Sequence, residues 1–259
     1  MSTPLVSIIT INYNNAEGLS KTFNSVFEQT FSDWEYLVID GGSTDASTTL
    51  IKNNEARLNY WVSEADDGIF HAMNKGIEKA RGQYFLFLNS GDQLNGPDIL
   101  AQFIDHPKFQ GDVIYGDYLF EKGAKKYPDS LYPAYFIKTS LPHQSTLFKH
   151  TVFEQLGGYD LNFPMSADRA FYIKAYLSGH FEFVHIPLYL TLFDLTGISN
   201  DPLQKQRKNK EDERMLKHSY GDQYEDMVAV IEAEREAARI PKYSVKGILK
   251  RLKKRLKDL

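Results

Sequence analysis

Cysteine is absent from this chain of 259 residues. Its absence excludes a disulfide framework, a zinc site with cysteine ligands and a thiol nucleophile, and it fits a reducing compartment. Long apolar runs are absent too, because no segment approaches the ~20 apolar residues of a membrane-spanning helix. The N-terminal stretch MSTPLVSIITINYNN has neither a basic region nor a small-residue cleavage site, so we expect no signal peptide and a cytoplasmic protein.

Charge is distributed unevenly along the chain, whose formal net charge is -4. The segment Lys242–Leu259 carries eight Lys or Arg and one Asp, so the remainder is acidic and no basic surface for nucleic acid is expected. Ile248, Leu252 and Leu256 recur at helical spacing in this segment, which predicts a basic amphipathic helix suited to an anionic membrane surface. Packing on the domain or on a protein partner is the alternative. The sequence does not indicate the oligomeric state.

Apolar segments alternate with helical patterns over the first 90 or so residues. The predicted strands are Leu5–Asn14, Trp34–Asp40, Leu58–Glu64 and Gln83–Asn89. Strands that alternate with helices indicate an α/β fold with a parallel sheet and right-handed crossovers. Ligands bind such sheets at the carboxyl ends of the strands.

The second half of the sequence is less regular. Gly111–Phe120 is typical of a strand or hairpin, and Ser166–Gly179 of a helix. Phe181–Asp194 is strand-like but split by Pro187. Asp201–Gly221 predicts a charged helix with a solvated face.

Three carboxylates, those of Asp40, Asp67 and Asp92, follow predicted strands at the same edge of the sheet. One such residue often makes an Asx-turn or a helix cap. Three that converge repel one another unless they hold a divalent cation or accept hydrogen bonds from a ligand. Neither GxGxxG nor GxxxxGK[ST] follows the first strand, which argues against a dinucleotide dehydrogenase and a P-loop kinase. Mg²⁺ or Mn²⁺ on Asp92 would then neutralise the phosphates of a nucleotide.

Four segments taken together resemble the successive signatures of family-two GT-A glycosyltransferases, which are inverting enzymes that use nucleotide-diphosphate sugars. They are VSIITINYNN, LVIDGGSTDAS, SEADDGIFHAMNKGIEKARGQYFLFLNSGD and SADRAFYIKA. The resemblance covers roughly the first 200 residues. Within the family, the sequence is similar to the subgroup that builds bacterial surface polysaccharides. It implies a GT-A domain over residues 1–220, with a mostly parallel central sheet flanked by helices, followed by a helical, basic tail over 221–259.

The resemblance also implies roles for a set of donor-binding residues. Ile11 and Tyr13 would lie at the nucleobase, where the aromatic ring offers a flat face. Asp40 would accept from the base or ribose, and Asp67 from a base N–H. Asn74 and Lys75 would lie near the diphosphate. For Lys75 the alternative, a solvent-exposed helix lysine with no role in binding, is at least as well supported. Met73 stands where the family often has Arg, so that neutralising side chain is lost.

The family's metal motif reads Asn89-Ser90-Gly91-Asp92 in this chain. Asp92 occupies the position that ligates the metal in relatives, whereas Asn89 and Gly91 replace carboxylates. Asn89 and Ser90 remain as polar residues beside Asp92, and the amide oxygen of Asn89 can accept a hydrogen bond from a ribose or a metal-bound water. Asp168 sits where the family carries its catalytic base; taken alone, it also suits a charge at the start of a helix.

Two further segments have weaker implied roles. His143 and Gln144 would lie near the acceptor or the donor sugar, or would be structural. Thr196, Gly197 and Ser199 resemble the segment that closes over the diphosphate, or form a plain turn. The sequence therefore predicts a metal-dependent inverting hexosyltransferase that uses a UDP-sugar and a saccharide or lipid-linked acceptor. A nucleotidyltransferase and a degenerate nucleotide- or glycan-binding module remain as alternatives.

Overall fold

The computed structural model describes residues 3–195 and 204–239, and within these ranges nine strands form one sheet. The strands are β1 (Val6–Asn12), β2 (Trp34–Asp40), β3 (Tyr60–Ser63), β4 (Tyr84–Asn89), β5 (Gln93–Leu94), β6 (Val113–Phe120), β7 (Gly123–Lys125), β8 (Thr146–Lys149) and β9 (Phe183–Leu192). The α-helices are α1 (Ala16–Phe27), α2 (Ser47–Asn53), α3 (Ile69–Lys79), α4 (Ile99–Ile104), α5 (Tyr135–Lys138), α6 (His150–Leu156), α7 (Ala167–Ser178), α8 (Lys205–Tyr220) and α9 (Tyr224–Arg239).

One half of the sheet is parallel, as the alternation of strands and helices predicts. β3, β2, β1 and β4 lie side by side in that order, and all three pairings are parallel. A helix lies in each of the three connections between these strands. β1 is buried at all of its positions because helices cover both faces of the sheet. The carboxyl ends of β1, β2 and β4 therefore meet at one edge.

The other half of the sheet is mixed. β8 runs antiparallel to β4, while β6 pairs antiparallel with β8 and β7 but parallel with β9. The predicted split at Pro187 does not occur, because β9 runs unbroken from Phe183 to Leu192. Its register against β6 shifts instead on either side of Asp117. Proline has no N–H to donate, so the ladder is interrupted at that point without ending the strand.

The apolar strand residues alternate between two layers on opposite faces of the sheet. Ile9 and Ile11 pack in the layer that contains α3 and α7, whereas Val6 and Ile8 pack in the layer that contains α1. Met73 of α3 is fully buried in the first layer. Burial of a side chain of this size contributes ~1.5–3 kcal/mol, so the sheet is a stable base for the loops at its edge.

The predicted charged helix is observed as α8, and one of its faces is buried rather than solvated. Met215 and Leu216 pack in the core, and Glu211 accepts a hydrogen bond from the backbone N–H of Met165 at 2.6 Å. α8 thus anchors the loop that leads into α7. No helix among the described residues is long and apolar enough to cross a membrane.

The second predicted segment, residues 221–259, lies partly within the described ranges. α9 belongs to it and contacts the neighbourhood of α5, since Glu234 accepts from the Tyr132 hydroxyl at 3.0 Å and from Lys138 at 2.9 Å. The basic amphipathic stretch 242–259 lies outside the described residues. The boundary at residue 220 stays a prediction.

Candidate active site

Asn12 joins the ends of two neighbouring strands at the carboxyl edge of the sheet. Its amide nitrogen donates to Asp40 at the end of β2 at 2.6 Å, and its amide oxygen accepts from the Ser90 hydroxyl, just after β4, at 2.7 Å. The amide can serve both partners because it carries a donor and an acceptor. The last residue of β2 and the first residue after β4 are therefore hydrogen-bonded to the end of β1.

Asp40 is fully buried and surrounded by donors. Its carboxylate accepts from the Ser43 N–H at 2.9 Å, the Ser43 hydroxyl at 2.5 Å and the Ser63 hydroxyl at 2.6 Å, in addition to Asn12. Burial alone would raise the pKa of Asp40, but the hydrogen bonds from Ser43, Ser63 and Asn12 outweigh it and lower that pKa. The carboxylate is held ionised and shapes the loop after β2.

The loop from Asn89 to Asp92 is anchored on α1. The Thr22 hydroxyl accepts from the Gly91 N–H at 3.0 Å and lies 2.8 Å from the carbonyl oxygen of Asp92, to which it donates. The Asn15 amide donates to the carbonyl of Ser90 at 3.0 Å. Gly91 has a φ of +112°, which L side chains rarely adopt, so a glycine suits this turn. These hydrogen bonds fix the loop in a conformation that buries the side chain of Asp92.

Asp92 is 2% exposed and receives two backbone N–H groups. Asp194 donates to one carboxylate oxygen at 3.0 Å, and Asn89 donates to the other at 3.3 Å. Burial raises the pKa of Asp92 to about 6, although these N–H groups and nearby His143 lower it in part. The carboxyl changes charge close to neutral pH, as a group with a functional task often does.

The residues around Asp92 fit a divalent cation of the Mg²⁺ or Mn²⁺ kind. The side-chain oxygen of Asn89 is buried without a hydrogen-bond partner, so an oxygen with unused lone pairs lies three residues before Asp92. The Asp194 carboxylate lies against Gly91 and adds negative charge beside Asp92. In the part of the chain that is described, no group of three His, Asp or Glu side chains could hold a metal. The protein would thus supply a few hard oxygens, and substrate phosphates and water the rest.

Asp168 lies in the first turn of α7, where the helix dipole favours a negative charge. One of its oxygens accepts from the Arg169 N–H at 2.7 Å, and the other lies 3.6 Å from Nδ1 of His143. Nε2 of the same imidazole is 3.2 Å from the Asn89 amide nitrogen. The structure therefore brings Asp168, His143 and Asn89 together, although α7 and β4 are far apart in the sequence.

The two residues predicted at the nucleobase lie in different surroundings. Tyr13 is 66% exposed, next to the backbone of Gly41, so its ring face is open to a ligand. The Ile11 side chain is buried in the core, and its carbonyl oxygen accepts from the Ser90 N–H at 3.0 Å. Asp67 has a carboxylate that is 90% exposed and lies 3.3 Å from Nδ1 of His71.

The two residues predicted near the diphosphate are engaged with protein groups. The Asn74 amide makes two hydrogen bonds with the backbone of Tyr159, at 2.9 and 2.8 Å, and so ties α3 to the turn after α6. The Lys75 ammonium pairs with Glu64 at 2.8 Å and donates to the Ala65 carbonyl at 3.1 Å. A phosphate would have to compete with these partners.

Comparison with known proteins gives one family. A family model described as glycosyl transferase family 2 matches residues 7–155. An uncharacterized glycosyltransferase of Mycobacterium tuberculosis is 37% identical over 207 residues, which are 77% of this chain and 78% of that protein. A PGL/p-HBAD biosynthesis glycosyltransferase of Mycobacterium bovis is 28% identical over 219 residues, 80% of this chain and 83% of that protein.

Solved structures share the fold. S. aureus TarS 1–349 in complex with UDP matches with a TM-score of 0.63 at 19% identity, over 82% of this chain and 65% of that chain. The mannosyltransferase PcManGT from Pyrobaculum calidifontis, in complex with GDP-Man and Mn²⁺, matches with a TM-score of 0.58 at 14% identity, over 96% of this chain and 84% of that chain. The predicted GT-A fold, an α/β sheet flanked by helices, is confirmed.

Proposed function

Because this chain belongs to glycosyl transferase family 2, we propose that it is an inverting enzyme that moves a sugar from a UDP-sugar to a saccharide or lipid-linked saccharide acceptor in surface polysaccharide synthesis. The relatives support this assignment: one is named for PGL/p-HBAD biosynthesis, and a Bacillus subtilis protein, 36% identical over 93 residues, for teichuronic acid biosynthesis. TarS, which shares the fold, is solved with UDP and with UDP-GlcNAc.

The contact of His143 with both Asn89 and Asp168 carries the proposal. An inverting displacement needs a base for the acceptor hydroxyl on one side of the anomeric carbon and stabilisation of the leaving diphosphate on the other. A single imidazole spans the gap between Asp168 and the strand end that leads to Asp92. The two functions would thus border one pocket.

Each side chain has a role that follows from its surroundings. The open ring face of Tyr13 would stack on the nucleobase, and exposed Asp67 would accept from a base N–H. The carboxylate of Asp40 already accepts hydrogen bonds from Ser43 and Asn12. It would therefore act on the ribose indirectly, by shaping the loop that follows β2. Asp168 would remove the proton of the acceptor hydroxyl. Mg²⁺ or Mn²⁺, when bound at Asp92, would offset the charge that develops on the diphosphate.

We also propose that residues 242–259 bring the enzyme to an anionic membrane, where a lipid-linked acceptor would be found. In this segment Leu and Ile recur at helical spacing among Lys and Arg. Co-sedimentation of the full chain with phosphatidylglycerol vesicles should be strong at low salt and weak at high salt. Equal sedimentation of a chain that ends at residue 241 would contradict this role.

The test of the activity is nucleotide release. The protein is incubated with Mn²⁺ and a panel of nucleotide sugars, with and without saccharide acceptors, and free nucleotide is measured. We expect release from one UDP-sugar, lowered at least about 100-fold in Asp168→Asn, because a general base contributes ~10²–10⁴-fold. Asp92→Ala should abolish release. Asp105→Asn, an exposed carboxylate at the end of α4, is the matched control and should behave as wild type.

Other outcomes identify the alternatives. Tight binding of a nucleotide sugar, with no nucleotide released in the presence of any acceptor, would indicate a binding module. Pyrophosphate release from a nucleoside triphosphate would indicate a nucleotidyltransferase. Full activity of Asp168→Asn would remove the assigned base.

A further inference from the structure

His143 stands on a rigid turn. It begins a short 3-10 turn, His143–Ser145, directly before β8. The Pro142 carbonyl accepts from the Ser145 N–H at 3.0 Å and from the Thr146 hydroxyl at 2.7 Å. The Ser145 hydroxyl is 2.5 Å from that of Thr191 in β9, so the turn is tied to the sheet on both sides. The imidazole of His143 therefore has little freedom to move.

The imidazole is 16% exposed and has a different neighbour at each nitrogen. At Nε2 the Asn89 amide donates over 3.2 Å. A ring nitrogen that accepts must lack a proton, so in the neutral ring the proton resides on Nδ1. That Nδ1–H faces the Asp168 carboxylate oxygen at 3.6 Å, slightly beyond hydrogen-bond length. Contacts of this kind are often long before substrate binds and tighten in the complex.

Asp168 has few other constraints on the orientation of its carboxylate. The Arg169 N–H fixes one oxygen at 2.7 Å. The Arg169 guanidinium is directed elsewhere, since it donates to the Phe136 carbonyl and pairs with Asp212. The second oxygen of Asp168 faces His143. Two contacts on two oxygens define the plane of a carboxylate, whereas one leaves it free to rotate.

We propose that His143 is a positioning residue: its Nδ1–H orients the Asp168 carboxylate toward the acceptor hydroxyl, and the Asn89 amide sets the imidazole in the required tautomer. The inference rests on the proposed role of Asp168 as base. Asn89 replaces a carboxylate of the metal motif, and the amide supplies a donor that a carboxylate lacks. The amide N–H of Asn89 thus serves the base, while its side-chain oxygen keeps unused lone pairs for a cation.

Two amide substitutions separate the two contacts of the ring. Asn at this position places its side-chain N–H near the site of Nδ1, so His143→Asn keeps a donor for Asp168 and loses Asn89. Gln reaches the site of Nε2, so His143→Gln keeps a partner for Asn89 and loses the donor to Asp168. His143→Ala loses both contacts. His180→Gln, an exposed histidine just beyond the far end of α7, is the control.

The kinetic readout is UDP release from the donor that the wild type accepts, with water or a saccharide as acceptor. Small misplacements of a reacting group cost up to ~100-fold in rate, so we expect kcat to fall ten- to 100-fold in His143→Ala and His143→Gln. In His143→Gln the donor KM should change less than about twofold, because this variant keeps the partner of Asn89 at the donor-binding edge. His143→Asn should recover most of kcat. Recovery in His143→Gln instead, or a loss confined to KM, would overturn the inference.

A second measurement does not depend on turnover. Nitrogen-15 spectra of the histidine rings, with the His143 signals identified by their loss in His143→Gln, report which ring nitrogen is protonated. We expect protonated Nδ1 in the wild type. A ring with bare Nδ1 and protonated Nε2 would overturn the inference even if the enzyme is active. Absence of turnover in the wild type, with protonated Nδ1, would instead count against the proposed function.

Discussion

The backbone N–H of Asp194 donates to the buried carboxylate of Asp92 at 3.0 Å, across 102 residues of sequence. Burial is the main cause of the raised pKa of Asp92, and the like charge of the Asp194 carboxylate, which lies against the neighbouring Gly91, raises it further. One residue therefore stabilises the ionised form of Asp92 with its backbone and opposes it with its side chain. Both effects adjust a pKa that burial raises to about 6, and only the ionised carboxylate binds a cation well.

Manganese binding should weaken below about pH 6. Burial raises the pKa of Asp92 to about 6, and a protonated carboxyl is a poor ligand. One proton would compete with one cation, so affinity should fall about tenfold for each pH unit below that pKa. Calorimetric titration of Mn²⁺ in the presence of UDP, from pH 4.5 to 8, measures this. Affinity that stays constant between pH 5 and 7 would contradict the assignment of Asp92.

Stability should respond to pH in the opposite direction. The pKa of Asp92 is about 6 in the fold and ~3.9 in an unfolded chain, so ionisation between these values favours unfolding. The contribution of the protonated form is present at pH 4 and lost as pH rises through 6. Relative to wild type, Asp92→Asn should therefore gain ~2–3 kcal/mol of unfolding free energy between pH 4 and pH 7. Urea unfolding at both values tests this, and a pH-independent difference would refute it.

Gly91→Ala should destabilise the loop more than its backbone angle alone explains. The φ of +112° is strained for alanine, and an added Cβ would collide with the Asp194 carboxylate. Strain of this kind costs ~1–3 kcal/mol, and displacement of Asp194 would also remove its N–H from Asp92. Gly96→Ala is the control, because its φ is +94° and no atom lies within 4 Å of the added Cβ. Equal losses of thermal stability in the two variants would argue against the collision.

The parallel half of the sheet could be predicted from sequence because its information is local. Each strand is rich in apolar residues and ends in polar ones, and β2 has the predicted bounds Trp34–Asp40. The carboxyl-edge rule then places Asp40 and Asp92 at one edge without any knowledge of packing. The GT-A family followed from the order of four motifs.

The contacts within the site could not be predicted because they join distant segments. Asn12 is recognisable as a residue at the end of a strand, but not as the link between Asp40 and Ser90. Asp194 follows the carboxyl end of β9, so the rule that ligands bind at the carboxyl ends of strands could have identified it as a site residue. It was missed because a break at Pro187 was predicted within that strand. Thr196, Gly197 and Ser199 lie outside the described residues, and their predicted role remains untested.

Asp212 of α8 should control the activity of Asp168 from outside the pocket. It accepts from the Ser166 hydroxyl at 2.5 Å and pairs with Arg169 at 3.3 Å, and so holds both sides of the first turn of α7. Asp212→Ala should cost ~1–3 kcal/mol, because a guanidinium that is 11% exposed loses its charged partner. It should also lower kcat for UDP release about tenfold, with the donor KM unchanged, because the loosened turn carries Asp168 while β1, β2 and β4 are untouched.

The adjacent residue provides the control for Asp212. Glu213 pairs with Lys217 at 2.6 Å, but both side chains are more than half exposed, and a surface pair of this kind adds little to stability. Glu213→Ala should therefore match wild type in thermal unfolding and in kcat. If Asp212→Ala and Glu213→Ala lose stability alike and keep the wild-type kcat, then α8 does not position the base, and the rigidity of α7 must come from its packing against α6 and the sheet.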